Sequence, residues 1–164
     1  MSTSSSFASS FPSSSTTPAA DPFAARHHKS LPRELRTEAA GLTWSAFENT
    51  YAPSSGPFRL GSWSERKTGP GMWDFEATLG IGESICKTGA SAPGPVAAMT
   101  SMLYDAGCPM EILSFHQHEI GHRTATFLLC ESAGIRLWAM GIGESHTEST
   151  LRAMISGANR LRPA

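Results

Sequence analysis

The sequence predicts an α+β fold in which one strand-strand-strand-helix (βββα) unit is written twice. Three observations carry this expectation. Short alternating apolar segments separated by glycine turns fill residues 58–88 and 112–140. Each set of strands is followed by an apolar-periodic stretch with a helix-start signal. The order of these features is the same in both halves. The units run from about Phe58 to Gly107 and from about Glu111 to Arg162, so residues 58–107 and 108–162 are expected to form the two halves of one domain at 58–162. Hairpins ahead of a crossover helix suit a mixed sheet, or a pseudo-twofold pair of sheets, covered by two helices and preceded by a short linker helix.

Residues 1–20 are nearly all Ser, Thr, Ala and Pro, and the first charge is Asp21. Such a stretch buries too little apolar surface to offset its ordering entropy, so 1–31 is expected to be a structureless tail. Its short basic run, Arg26-His27-His28-Lys29, reads as solvated. The stretch has no basic start followed by an apolar run, as a secretory signal would. No window approaches the roughly 20 apolar residues that span a bilayer. A soluble cytoplasmic protein is therefore expected.

Residues 32–57 read as linker helix and hinge. Leu35, Ala39 and Leu42, then Trp44, Phe47 and Tyr51, fall at helical spacing; Thr43 is the expected N-cap of Trp44–Thr50, and Ala52-Pro-Ser-Ser-Gly-Pro57 ends it. Phe58–Lys67 is a loose strand, and Thr68-Gly-Pro-Gly71 a turn. In Met72–Leu79 the residues Trp73, Phe75, Ala77 and Leu79 alternate; Gly80-Ile-Gly82 turns into a strand at Glu83–Thr88. Ser91-Ala-Pro-Gly-Pro95 opens a helix carrying Val96, Met99, Leu103 and Ala106, which Gly107 stops. The second unit repeats the order with strands at Ile112–His118, Thr124–Glu131 and Ile135–Met140, turning at Gly121-His122 and Ala133-Gly134. Ser145-His-Thr-Glu148 is a capping box ahead of Leu151, Met154, Ile155, Ala158 and Leu161.

Thirteen basic residues against fourteen acidic ones give a net charge of −1, which makes no footprint for nucleic acid or anionic lipid. Three cysteines, Cys86, Cys108 and Cys130, offer neither a CxxC pair nor an even count. Reduced thiols are expected.

Two readings compete for the chemistry. On a strand, His116 and His118 share a face, and His122 returns after the turn, offering three imidazoles to a divalent metal. No carboxylate or cysteine is clearly placed as a fourth ligand, so no cofactor is expected and this triad ranks last. The helix starts rank first. At Ala92-Pro93-Gly94-Pro95 the small residues admit a ligand close to the backbone, with N–H groups from Val96, Ala97 and Ala98 beside it. Gly143-Glu-Ser145 is its counterpart in the second unit, and two such starts facing each other would clamp an amino-acid carboxylate. Backbone carbonyls, Glu144 or Glu119 are the candidates to meet an ammonium group. A simple capping loop is the plain alternative at Pro95.

Three ordered stretches carry a family resemblance: Gly94-Pro-Val-Ala-Ala98, Trp138-Ala-Met-Gly-Ile-Gly143 and Ser149-Thr-Leu-Arg-Ala-Met-Ile-Ser-Gly-Ala-Asn-Arg160. Together with Trp44-Ser-Ala-Phe47…Tyr51 upstream, residues 42–162 resemble the C-terminal allosteric domain of alpha-isopropylmalate synthase, the acyltransferase that commits carbon to leucine. The resemblance implies a homodimerising regulatory domain that binds leucine or a related amino or keto acid. Its apolar pocket wall would include Val96, Ile112, Phe115, Thr126 and Leu128. The chain departs from the family pattern at Glu119, Thr126 and Leu128, where the family has small alanines. It also has Ala92-Pro93 where the family has Gly-Asn, and Arg123-Thr124 where the family has Asp-Ala. Strict alternation sets Ile112 and Phe115 on opposite faces, so a β-bulge is required for both to reach one ligand.

A TIM barrel needs about 250 residues, and neither its strand-helix alternation nor its metal-binding His-x-His followed by Asn-Asp is found. This chain is thus expected to be regulatory rather than catalytic, standing alone or partnering a full-length synthase. A non-binding dimerisation or scaffold module is the alternative.

Overall fold

The computed structural model describes residues 19–163. Three short helices lead: α1 (Pro22–His27), α2 (Arg33–Glu38) and α3 (Trp44–Tyr51). The first repeat follows as β1 (Phe58–Gly69), β2 (Met72–Ile81), β3 (Ser84–Ala92) and α4 (Pro95–Asp105). The second is β4 (Glu111–Ile120), β5 (Arg123–Ser132), β6 (Ile135–Gly143) and α5 (His146–Leu161). The duplicated βββα order is as the sequence predicts. The mixed sheet is not: each unit forms its own three-stranded antiparallel meander, β1-β2-β3 and β4-β5-β6. Tight hairpins impose this, because a two-residue turn joins only antiparallel strands. At Ala133-Gly134 both residues have positive φ (50° and 79°), the type I′ geometry that matches strand twist. The β2–β3 turn falls at Gly82-Glu83, so β2 runs to Ile81, and β3 extends to Ala92 through the register pairs Phe75↔Ala90 and Trp73↔Ala92. Polar and small residues hid that extension, since β3 exposes most of its length.

Pro95 at the first position starts α4, which buries Ala98, Met99, Met102 and Leu103. Gly107, at φ +85°, ends the turn after it. The Ser145 Oγ accepts from the Glu148 N–H (3.1 Å), as a capping box requires. The return bond comes from one residue earlier, with the Glu144 N–H donating to the Glu148 carboxylate at 2.8 Å.

The second sheet is covered on both faces. Thr126, Leu128 and Cys130 of β5 face α5, with Ala139 of β6. Ala125 and Phe127, with Trp138 and Met140, face α1 and α3. Glycine lets α5 lie directly on β6: a methyl at Gly141 would fall on the Ala153 backbone nitrogen and 2.5 Å from the Ser149 carbonyl oxygen. Gly157 does the same from the helix side, against the Cys130 sulfur. That burial pushes the Cys130 thiol up to about 12 and the Cys108 thiol upward as well, so both are inert thiols.

The tail expected over 1–31 needs correction from Asp21 onward; residues 1–18 lie outside the described residues. The Asp21 carboxylate caps α1 through the N–H groups of Phe23 and Ala24 (2.9 Å each) and also accepts from the Leu31 N–H at 2.9 Å. Phe23 is fully buried, edge-on to Phe127 with centroids 5.0 Å apart, and Leu31 is 1% exposed. Composition averaged over a Ser-rich stretch conceals two apolar anchors and a cap. The basic run is not solvated throughout either: Arg26 lies over the Trp44 ring at 5.0 Å and His27 packs edge-on to it. The linker is two helices rather than one, α2 and α3, the second capped by Thr43 as expected (3.2 Å to the Ala46 N–H).

The two repeats are tied at their far ends. The Asn159 side chain of α5 accepts from the Phe58 N–H (2.8 Å) and donates to the Phe58 carbonyl (2.9 Å), both buried. Replacing Asn159 by Ala leaves a backbone donor and acceptor unpaired, each costing about 1–3 kcal/mol, so N159A is expected to destabilise by about 3 kcal/mol in urea unfolding. A loss under about 1 kcal/mol would mean that water replaces the amide there.

Candidate functional site

The pocket expected from the sequence draws on two places in the fold. Ala92, Gly94, Pro95, Val96 and Ala97 surround the start of α4; Gly143 and Ser145 lead into α5. No hydrogen bond or ion pair among the described residues joins the two starts, and four surface clefts of about 330–530 Å3 include neither. The starts also differ chemically. Gly94 supplies no side-chain cap, and Pro95 has no N–H, so the Val96 and Ala97 N–H groups are the free donors at α4. The Ala98 N–H, counted with them from the sequence, is already bonded to the Gly94 carbonyl at 3.1 Å. At α5, the box of Ser145 and Glu148 occupies the turn, and Arg152 forks onto Glu148 at 2.9 and 3.0 Å. The Glu144 N–H is the chief cause holding the Glu148 carboxyl below the usual carboxylate range.

Along the wall, β4 and β5 do what the ligand geometry requires. Leu113 is an extra residue, and the register passes from Ile112↔Cys130 to Ser114↔Leu129 and Phe115↔Leu128. Cross-strand partners share a face, so the bulge turns Ile112 and Phe115 to the same side as Leu128 and Cys130. Ile112 packs on the main core, whereas Phe115 remains 44% exposed. Thr126 and Leu128 are fully buried beneath α5, Thr126 sharing a 2.7 Å hydrogen bond with the Ser149 hydroxyl.

A residue passed over in the sequence organises the polar side of this wall. The Gln117 amide donates to Thr126 Oγ1 (2.9 Å), Thr150 Oγ1 (3.0 Å) and the His146 carbonyl (3.1 Å), while its oxygen meets His146 Nδ1 at 2.9 Å. Beyond it, His146 Nε2 lies 3.6 Å from Glu119, and the Thr147 hydroxyl reaches Glu65 of β1 at 3.2 Å. The signal was present: Gln117 stands two residues from Phe115 and two from Glu119, on one strand face.

The histidine triad is not assembled. His116 and His118 do share a face, but it is the face packed by the leading helices. His116 lies against Trp138, and His118 against Phe127 and Phe23, with its Nε2 2.9 Å from the Ser30 carbonyl. His122 sits in the hairpin turn, 3.7 Å from Glu144. No cluster of three His, Cys, Asp or Glu side chains able to hold a metal occurs among the described residues. No helix among them is long and apolar enough to cross a membrane.

No family model matches the chain. Individual relatives do. A 2-isopropylmalate synthase of Clavibacter michiganensis subsp. michiganensis is 29% identical over 164 aligned positions, covering 83% of this chain and 28% of that protein. The protein of the same name from Arthrobacter sp. (strain FB24) is 30% identical, with 82% of this chain and 28% of the relative aligned. One from Parafrankia sp. (strain EAN1pec) is 29% identical over 130 positions, 74% of this chain and 23% of its own length. The chain thus spans about a quarter of the length of the curated relatives it matches.

Proposed function

We infer, from its homology to one region of 2-isopropylmalate synthase, that this chain is a regulatory domain of branched-chain amino-acid biosynthesis. In this reading it binds a small amino or keto acid and pairs with a second copy of itself or with a full-length synthase. Condensation chemistry is not assigned to it. The observation that carries the reading is the β4 bulge, which brings Ile112 and Phe115 to the face of Thr126 and Leu128 that an effector wall requires. The Gln117 network, with Glu119 beyond His146, adds hydrogen-bonding groups suited to a zwitterion next to that apolar wall.

The burial of Leu128, by contrast, favours the second reading, a dimerisation module whose pocket is filled. Leucine in place of a family alanine adds three heavy atoms in the space of a small side chain. One calorimetric series separates the two. Leucine, isoleucine, valine and their keto acids are titrated into the wild-type chain and into Leu128→Ala. Heat with any of them in the wild type supports sensing. Binding that appears only in Leu128→Ala supports the filled pocket, and no heat in either variant removes the effector altogether. Sedimentation of the wild type tests the self-pairing, with a monomer at about 100 μM counting against a homodimer in either reading and leaving only a full-length synthase as partner.

A further inference from the structure

A cleft of about 520 Å3 lies between the leading helices and the body of the fold, away from the expected effector wall. Its lining gathers four of the thirteen basic residues of a chain that is slightly acidic as a whole: Arg26, Arg59, Arg123 and Arg152. Glu48 is the one carboxylate lining it. Two of the arginines have engagements that hold them in place. Arg59 donates to the Gly82 carbonyl at 2.6 Å, and Arg152 forks onto Glu148. Arg26 is fixed over the Trp44 ring with its edge free, and Arg123 makes no ion pair or hydrogen bond among the described residues.

His27 lines the cleft with them. Its Nε2 is buried without a hydrogen-bond partner, the one such side-chain atom among the described residues. An orphaned buried nitrogen costs free energy, which a bound acceptor restores when the ring carries its proton on Nε2. Burial first, then the charges of Arg26 and Arg123, pull the His27 pKa down, which places both guanidinium groups in its electrostatic reach. Trp44, Met140 and Ile142 supply an apolar wall. All four cations are arginines, whose planar fork matches carboxylate and phosphate oxygens two at a time. The volume falls in the range of small-molecule sites.

We propose that this cleft binds a small oxyanion of two or more charges, a phosphate or a dicarboxylate, held by Arg26 and Arg123 beside His27. The site is independent of the effector reading. The test titrates inorganic phosphate, succinate and acetate into the full chain at low ionic strength, observing His27 ring and backbone amide resonances by NMR. Phosphate or succinate is expected to saturate with a Kd of about 1 mM or below, and acetate to bind at least about tenfold more weakly. Phosphate alone identifies a phosphoryl ligand, and succinate alone a dicarboxylate. The R26Q/R123Q double variant removes two exposed side chains, and its affinity is expected to fall at least about thirtyfold as two charge-assisted contacts are lost. The proposal is overturned if neither dianion saturates below about 20 mM, if acetate equals them, or if the double variant binds as the wild type does. Resonance shifts centred away from His27, Trp44 and Ile142 in the wild type overturn it too, whether or not the double variant folds.

Discussion

Gly141→Ala is expected to cost about 4 kcal/mol, more than any other single-methyl addition in the domain. Ordinary overpacking costs about 1–3 kcal/mol because side chains yield into neighbouring space. Here the added carbon meets backbone on the opposite element: the Ala153 nitrogen, the Ser149 oxygen at 2.5 Å and the Arg152 carbonyl carbon at 2.7 Å. Main chain held in an α-helix cannot swing aside, so α5 must lift from β6. That movement takes Asn159 away from Phe58 and loosens the cover over Thr126 and Leu128. For a chain of this size the melting temperature should fall by about 10 °C. Glycine 94 is the control, because a methyl there meets nothing within 4 Å. If G141A melts with G94A, the close packing of α5 on β6 is not as described.

The second large effect lies in the segment that composition assigns to a tail. Phe23→Ala should destabilise by about 4 kcal/mol, the usual range for a buried phenylalanine being about 3–5. Phe23 is fully buried among Phe127, His118 and Trp44, so its loss opens a cavity on one face of the second sheet. Urea unfolding measures the loss. Limited proteolysis locates it, with cleavage expected first among residues 19–43. A change below about 1 kcal/mol would restore the structureless tail of the first expectation.

What could be read from the sequence, and what could not, follows from the range of the forces involved. Helices α3, α4 and α5 declare themselves through local signals: Thr43, Pro95 and the Ser145–Glu148 box each act within one turn. The bulge at Leu113 was required by a parity argument and is found. Helix α1 was missed because Phe23 is held by Phe127, more than a hundred positions away, while its neighbours read as linker. For the same reason His116 and His118, correctly placed on one face, look like ligands until the aromatic wall over them is known. The wall residues of the candidate site came from the family resemblance and not from any periodicity. Gln117 had only its place on the face of Phe115 and Glu119 to mark it, and a lone amide gains meaning when Thr126, Thr150 and His146 arrive from other elements. The convergence of Arg26, Arg59, Arg123 and Arg152 was equally invisible in a net charge near zero.

The two bonds from Asn159 to Phe58 have a consequence for how the protein is made. On a ribosome the opening strand emerges about a hundred residues before the amide that completes its backbone pairing. During that interval, at synthesis rates of about 5–20 residues per second, a meander waits with one strand end unsatisfied. Completion is therefore posted to α5: the nascent polypeptide holds a provisional shape for several seconds and locks only once that helix has left the exit tunnel.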